Sequence, residues 1–212
     1  MTTPAEDLGN LDHLVITVPD LAAACDEFAM RLGVRPEAGG KHPRTGTHNA
    51  LFGLTDEAYV ELIAVDPQVV PGHPNPPFKL AGVNGISLCT FAAHPGDLES
   101  AAAGLLGLGF DVGPLGPGRR TTPDGVELAW TLSEPLHADA SGIVPFLIDW
   151  LGGPSPAATV GPRAAVTAWG ASAPDPEPYR VALESLGVPL SVDEGDFGIW
   201  VEFTGPAGTW RV

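Results

Sequence analysis

A histidine and a glutamate stand within two apolar, strand-like stretches and carry the donor atoms of an acid–base or metal site. His13 is the third residue of LDHLVITVPDL, and Glu61 is the third residue of YVELIAV. Because side chains alternate between the two faces of a strand, His13 faces away from the core positions Leu14 and Ile16, and Glu61 away from Leu62. Imidazole nitrogen and carboxylate oxygen suit Zn, Fe, Mn, Ni or Co, and either group can transfer a proton.

Polar side chains that could contact a ligand follow in two further stretches. GGKHPRTGTHN contains His42, His48 and Asn49 beside basic residues, and RRTTPDGVELAW contains Arg120. These groups predict a ligand-binding rim with a preference for carboxylate or phosphate. The alternatives are a solvated surface loop for the first stretch and, for Arg120, a salt bridge to one of the 26 acidic residues.

Large rings form a third group of candidate binding residues, Trp130, Phe146 and Trp150. They predict an apolar wall that suits a planar or apolar small molecule, although aromatic residues on strands usually belong to the core. Three further histidines lie in turn-rich segments and are predicted to be exposed: His73, His94 and His137.

The elements that must position these residues form an internal repeat. A strand, a turn with an aspartate and a helix that ends in Leu-Gly occur three times, with the glycines at 33, 109 and 187. The aspartates that we expect to cap the three helices are Asp20, Asp97 and Asp175. Predicted strands follow each helix, at 34–37, 48–54 and 58–65, at 110–113, 126–133 and 144–151, and at 189–193, 198–204 and 209–212. Each unit therefore reads βαβββ.

The predicted boundaries divide the chain into a tail, three modules and linkers. They are a tail at 1–10, module 1 at 11–66, a Pro- and Gly-rich linker at 67–83, module 2 at 84–152 and a βαβββ-like module 3 at 163–212.

Several motifs set in these units resemble one known family. LDHLVITVPDL, GGKHPRTGTHNALFGL, YVELIAVDP, RRTTPDGVELAW and PFLIDW together resemble the glyoxalase-like domain of the vicinal oxygen chelate superfamily, which includes glyoxalase I, extradiol dioxygenases and bleomycin-resistance proteins. The resemblance covers residues 11–152 well and module 3 loosely. It implies an α+β fold in which two modules pair around a cleft with helices outside, plus a third, C-terminal module. It also implies that His13 and Glu61 are metal ligands in that cleft.

The second module departs from the pattern of the superfamily. Repeat alignment sets Ser87 at the place of His13 and Phe146 at the place of Glu61, so the second pair of ligands is missing, with Cys89 and Asp149 as weak substitutes. Metal sites normally use three or more protein ligands. Metal coordination, a metal-free contact to a ligand and a purely structural pair therefore remain open for His13 and Glu61.

The leading functional hypothesis is a glyoxalase-like small-molecule enzyme of the lyase, isomerase or dioxygenase type. A divalent metal ion would polarise substrate oxygens, and Glu61 would act as the catalytic carboxylate. The alternatives are a metal-free small-molecule binding or resistance protein of the same fold and an interaction module. No nucleophile elbow, P-loop, dinucleotide fingerprint or HExxH occurs in the sequence, which argues against hydrolases, kinases and hydride-transfer enzymes.

Composition narrows the partners and the location. Ten basic and 26 acidic residues give a formal charge of -16, which disfavours nucleic acid and anionic membrane surfaces. Two cysteines without a CxxC motif and an acidic N-terminus without a signal-peptide pattern predict a cytoplasmic protein. Module 3 has no partner module, so it packs beside the pair, fills the cleft or meets its own copy in a homodimer.

Overall fold

The computed structural model describes residues 7–69, 77–78, 80, 82–122, 125–134, 139–161 and 163–212. In chain order the elements are β1 (Leu11–Thr17), α1 (Leu21–Leu32), β2 (Glu37–His42), β3 (Thr47–Gly53), β4 (Tyr59–Val65), β5 (Ser87–Ala93), α2 (Leu98–Gly107), β6 (Leu115–Thr121), β7 (Glu127–Ser133), β8 (Phe146–Asp149), a 3-10 helix (Pro156–Ala158), β9 (Ala165–Ala173), α3 (Glu177–Ser185), β10 (Ser191–Glu194), β11 (Gly198–Gly205) and β12 (Gly208–Arg211). Of the helices in these residues, none is both long and apolar enough to cross a bilayer.

Modules 1 and 2 together build one eight-stranded sheet. Its strand order is β2-β3-β4-β1-β5-β8-β7-β6, and the modules join through the antiparallel pair β1 and β5. In each module the strand before the helix pairs in parallel with the last strand, β1 with β4 and β5 with β8. The predicted α+β fold with tandem βαβββ modules is confirmed.

Helix boundaries follow the local capping chemistry in two of the three repeats. Asp20 and Asp97 each accept a backbone N–H of the first helical turn at 2.9 Å, and Gly33 ends α1 in the left-handed conformation at φ 70°. The prediction for Asp175 is wrong, because Pro176 occupies the cap position of α3 and makes no side-chain capping bond.

Two strands lie away from their predicted positions. Strand β2 spans 37–42 rather than 34–37, and β6 spans 115–121 rather than 110–113. Their sequences, EAGGKH and LGPGRRT, contain glycine and proline that argue against a central strand. Both strands lie at the edges of the large sheet, where such residues are tolerated.

The large sheet buries apolar side chains on both faces. The outer face carries α1 and α2 and shares one core with module 3, which contains Phe28, Phe52 and Phe203. The inner face carries His13 and a second cluster, here called the inner cluster. Its buried members are Val15, Leu51, Tyr59, Ile63, Leu80, Ala92, Leu128, Phe146, Ile148, Trp150, Ala157 and Val160. Leu80 shows that the segment predicted only as a linker also covers the inner face.

Module 3 has its own sheet and its own topology. The order is β10-β9-β11-β12, so the parallel neighbour of the first strand is the strand directly after the helix, not the last strand. This sheet packs against the outer face, where the ring of Phe203 lies 5.5 Å from that of Phe52 and the ring of Trp169 lies 5.5 Å from that of Phe91. Of the predicted placements for module 3, packing beside the pair is the one observed.

The two edge strands of the large sheet meet. Arg120 on β6 donates from Nη1 to the carbonyl oxygen of Gly39 on β2 at 2.9 Å. The neighbouring Gly40 lies close to the same side chain, since a Cβ there would lie 3.3 Å from Nη1 of Arg120. The sheet therefore curls around the inner cluster.

Candidate acid–base site

A buried carboxylate holds the ring of His13. Nδ1 of His13 lies 2.6 Å from Oδ1 of Asp12, and Nε1 of Trp150 donates to Oδ2 of Asp12 at 2.8 Å. Asp12 is 1% exposed and His13 is 4% exposed. Strict alternation would turn Asp12 away from His13, but the register of β1 against β5 shifts between Leu11 and His13, and such bulges reorient side chains.

The Asp12 contact defines which ring nitrogen of His13 is available for chemistry. An ionised carboxylate only accepts hydrogen bonds, so Nδ1 of His13 carries the proton in that contact. Nε2 then points toward Oε2 of Glu61, 3.8 Å away. With a neutral ring and an ionised Glu61, two acceptors face each other, and this arrangement favours a proton or a donor group of a ligand between them.

Polar groups of module 1 surround the other side of Glu61. Asn49 donates from Nδ2 to Oε1 of Glu61, and Nε2 of His42 lies 4.0 Å from the same oxygen. Nδ1 of His42 is paired with Oγ1 of Thr47 at 2.9 Å. Burial lowers the pKa of His42 although the nearby carboxylate of Glu61 opposes this shift, so the neutral ring is favoured.

Aromatic rings enclose the imidazole of His13. The ring of Tyr59 stacks on it at 4.7 Å, and Phe146 meets it edge-on at 5.4 Å. Burial, with the charges of Asp12 and Glu61, raises the pKa of Tyr59 well above its usual value, so the phenol keeps its proton. The site thus combines a carboxylate–imidazole pair and a second carboxylate with nearly dry walls.

The structure brings most of the predicted site residues to the inner face. His13, Glu61, His42, Asn49, Phe146 and Trp150 lie together in this way, and Trp130 packs at their margin with its ring 5.3 Å from that of Trp150. His42 and Asn49 belong to strands β2 and β3 rather than to a loop.

The structure does not bring His48, also predicted as a site residue, to this cluster. It lies on β3 between Thr47 and Asn49, and alternation turns it to the face of its ladder partner Ala64, which belongs to the outer core. Asp12 is the site residue that sequence reasoning missed. Its signal was its position next to His13, but the bulge that turns it inward leaves no trace in the hydrophobic pattern.

Of the other titratable residues named from the sequence, His94 and Asp149 lie apart from this cluster. His94 is exposed, and its Nε2 lies 3.7 Å from Oδ1 of the equally exposed Asp149, which does not turn inward. Cys89 packs against the inner cluster, where burial, with the charge of Glu61, raises the pKa of its thiol to about 12. His73 and His137 lie outside the described residues.

The second module presents different side chains at the matching positions. Thr90 lies seven residues before the cap Asp97, as His13 does before Asp20, so Thr90 and not Ser87 corresponds to His13. Thr90 is buried, and its hydroxyl has no hydrogen-bond partner in the part of the chain that the structure describes. The titratable groups of the site therefore come from module 1, whereas module 2 contributes the rings of Phe146 and Trp150.

A cavity lies beside the polar cluster. It has a volume of about 320 Å³ and is bounded by the edge strands β2 and β6 and by the 3-10 helix. Leu51, the ladder partner of Glu61, forms part of its wall. A larger groove of about 540 Å³ runs along module 3, away from His13 and Glu61.

A family model described as glyoxalase-like domain matches residues 11–187, which is most of the chain. The chain belongs to the glyoxalase-like domain family. The match extends through α3, so it includes the first half of module 3. A comparison with curated proteins finds no match.

The chain is also similar to several solved structures, of which the first below shares its fold over nearly the whole chain. A hypothetical protein from Staphylococcus aureus is similar over 95% of this chain and 84% of its own, with a TM-score of 0.59 and 16% identity. A methylmalonyl-CoA epimerase in complex with methylmalonyl-CoA and NH4+ matches over 71% of this chain and 100% of its own, with a TM-score of 0.44 and 18% identity. The methylmalonyl-CoA epimerase from Mycobacterium tuberculosis matches over 69% of this chain and 90% of its own, with a TM-score of 0.41 and 19% identity.

The donor set of this glyoxalase-like domain does not fit the metal that the sequence resemblance implied. Across the described residues, no group of three or more His, Cys, Asp or Glu side chains could hold a metal ion. His13 and Glu61 are two ligands, and the amide of Asn49 lies at hydrogen-bond distance from both Glu61 and His42. Two ligands are fewer than protein metal sites use, so no step below passes through a metal.

Proposed function

We propose that the chain is a small-molecule enzyme that moves a proton within its substrate, as an isomerase or lyase does, with His13 and Glu61 as its catalytic residues. The observation that carries the proposal is the 3.8 Å approach of Nε2 of His13 to Glu61, with Asp12 holding the opposite ring nitrogen. An imidazole oriented by a carboxylate and facing a second proton acceptor is suited to proton transfer. The proposed setting is a cytoplasmic protein with a small-molecule ligand.

The proposed step begins at a carbon beside a substrate carbonyl. The carboxylate of Glu61 accepts the proton, and the electron pair of the broken C–H bond moves to the carbonyl oxygen, which becomes an enolate oxygen. The protonated Nε2 of His13 donates a hydrogen bond to that oxygen, and Asp12 stabilises the imidazolium. Return of the proton to the same or to a neighbouring carbon completes the reaction.

The walls of the site support this chemistry. Glu61 is 12% exposed and His13 is 5% exposed in their side chains, so the charges meet little water. Electrostatic interactions are stronger in such surroundings, so the charges of Glu61 and His13 act strongly on a bound substrate.

Incorporation of solvent deuterium into a panel of 1,2-dicarbonyl, 2-hydroxycarbonyl and 3-oxo compounds tests the proposal by NMR. We expect exchange above the uncatalysed rate, and a loss of roughly 10²- to 10⁴-fold in His13→Gln and in Glu61→Gln. His94→Gln, an exposed histidine, is the matched control and should exchange as the unmodified protein does. Unchanged exchange in the Glu61→Gln variant would overturn the proposal.

A second candidate function is metal-free binding of an apolar small molecule, and the rings of Trp130, Phe146 and Trp150 on the inner face favour it. Tight binding of panel compounds without exchange would transfer the function to this class. Equilibrium dialysis against Zn²⁺, Mn²⁺, Ni²⁺ and Co²⁺ provides an independent readout. Stoichiometric metal that is lost in both His13→Ala and Glu61→Gln would restore a metal-assisted mechanism.

A further inference from the structure

The cavity beside the acid–base site has a largely apolar wall, and Arg120 is the one basic side chain among its described lining residues. Its larger apolar side chains are Leu51, Val126, Leu128, Pro156 and Val160. The charged side chains among its lining residues are Arg120 and Glu37. A volume of about 320 Å³ is at the lower end of the range for small-molecule sites. The shape suits a compact ligand with an apolar body.

Arg120 differs from most basic side chains of the described chain because it has no carboxylate within 4.0 Å among those residues. Five other basic residues have such a partner: Arg31, Arg35, Lys41, Arg163 and Arg180. Arg44, Arg119 and Arg211 also lack such a partner among the described residues, but they are exposed, whereas Arg120 is half-buried and lines the cavity. Within the described part of the chain, one hydrogen bond from Nη1 to the carbonyl of Gly39 fixes the position of Arg120 and leaves the remaining N–H groups as donors.

Glu37 lies on a different part of the cavity wall. Its Oε2 accepts the backbone N–H of Gly161 at 3.4 Å, so the carboxylate is turned toward the segment after the 3-10 helix. Its charge repels an anion, so an anionic ligand is oriented with its charged end toward Arg120.

Backbone contacts connect this cavity to the acid–base site. Gly39 accepts the hydrogen bond of Arg120 and also packs against Asn49, which donates to Glu61. Leu51 lines the cavity and is paired with Glu61 across β3 and β4. A ligand held at Arg120 over Leu51 therefore extends toward the reacting carboxylate.

We propose that this cavity binds the carboxylate of a small, otherwise apolar organic acid, with Arg120 as the anion-binding residue. The proposal rests on the proposed function in taking this acid as the substrate of the proton transfer. Guanidinium and carboxylate form paired, charge-assisted hydrogen bonds, which gives the site both affinity and orientation.

Calorimetric titration with three probes that share one ring tests the inference: cyclohexanecarboxylate, cyclohexylmethanol and cyclohexylmethylamine. We expect the carboxylate to bind most tightly, and Arg120→Gln to weaken it by about tenfold or more without changing the alcohol. Arg119→Gln removes the same charge from the exposed neighbouring residue and should leave all three affinities unchanged. Arg120→Lys keeps the charge but loses the paired N–H donors of the guanidinium, so its affinity for the carboxylate should lie between those of the unmodified protein and Arg120→Gln. This variant replaces Arg120→Gln in the test if Arg120→Gln does not fold.

Two outcomes would overturn the inference: a carboxylate that binds no more tightly than the alcohol, or equal losses in Arg120→Gln and Arg119→Gln. Glu61→Gln separates this failure from that of the proposed function, because Glu61 does not line the cavity. If the unmodified protein shows no deuterium exchange but Glu61→Gln still binds the carboxylate, the proposed enzymatic function fails and the carboxylate-binding cavity stands. If exchange depends on Glu61 but the carboxylate does not bind, the enzymatic function stands and the carboxylate-binding cavity fails.

Discussion

Replacement of Asp12 by asparagine tests how His13 is held. Asp12 accepts from His13 at 2.6 Å and from Trp150 at 2.8 Å, and all three side chains are buried. Hydrogen bonds to a charged group contribute about 1.5 to 3 kcal/mol each, and neutral ones about 0.5 to 1.5 kcal/mol. An asparagine keeps neutral bonds to both partners, so the free energy of unfolding should fall by roughly 2 to 4 kcal/mol.

The same change should switch the tautomer of His13. The amide nitrogen of the new side chain is a donor, so Nδ1 of His13 must accept, and the proton moves to Nε2. The nitrogen that faces Glu61 then carries a proton in the neutral ring and can still donate to the enolate oxygen, but the imidazolium loses the carboxylate that stabilises it, so deuterium exchange should fall by less than in His13→Gln.

Urea denaturation measures the stability change, and ¹⁵N NMR of the histidine rings measures the tautomer, with His13→Gln used to assign the resonance. Asp193→Asn, an exposed aspartate on β10, is the matched control and should alter stability by no more than about 0.5 kcal/mol. An Asp12→Asn protein that is as stable as this control, or whose His13 keeps its proton on Nδ1, would refute the reasoning.

Two further predictions concern module 3 and the pH response. Phe203→Ala should cost about 3 to 5 kcal/mol in a single urea transition, because the ring is 0% exposed and packs on module 1, whereas Phe197→Ala, 58% exposed, should cost little; a separate early transition of module 3 alone would contradict a shared core. Burial lowers the pKa of His42, so the unfolded chain binds this proton at higher pH than the folded chain, and stability should decline as pH falls below about 6.5. His42→Gln should flatten this decline in urea titrations at several pH values and His94→Gln should not; equal slopes in both variants would show that another group is responsible.

The hydrophobic pattern was sufficient for the centre of the sheet and insufficient for its edges. Strands β1 and β4 alternate between an apolar outer side and a mixed inner side, and this alone placed His13 and Glu61 on one face. Strands β2 and β6 pair on one side only and are rich in glycine. Neither the alternation of apolar residues nor the β-strand propensity of the sequence therefore indicates a strand there. The sequence therefore predicted Arg120 only as part of a ligand-binding rim, and not as part of a strand that reaches across to β2.

The sequence predicted the two central residues of the site, His13 and Glu61, but not Asp12, which holds the ring of His13. His13 and Glu61 follow from strand alternation and from the resemblance to the glyoxalase-like domain, whereas Asp12 depends on a bulge that sequence periodicity does not encode. The topology of module 3 was hidden for a different reason. Its strand and helix order repeats that of the other modules, and only the ladder partners of β9 distinguish them.

The meeting of β2 with β6 has a consequence for how copies of this chain can associate. Unpaired strand edges are the places where sheets of different molecules join, in dimers and in aggregates alike. Here Arg120 ties one edge to Gly39 on the other, and the backbone of Gly40 approaches the same side chain. A second molecule could extend this sheet only after that contact had opened. Loss of the Arg120 contact would therefore free the two edge strands for pairing with another molecule.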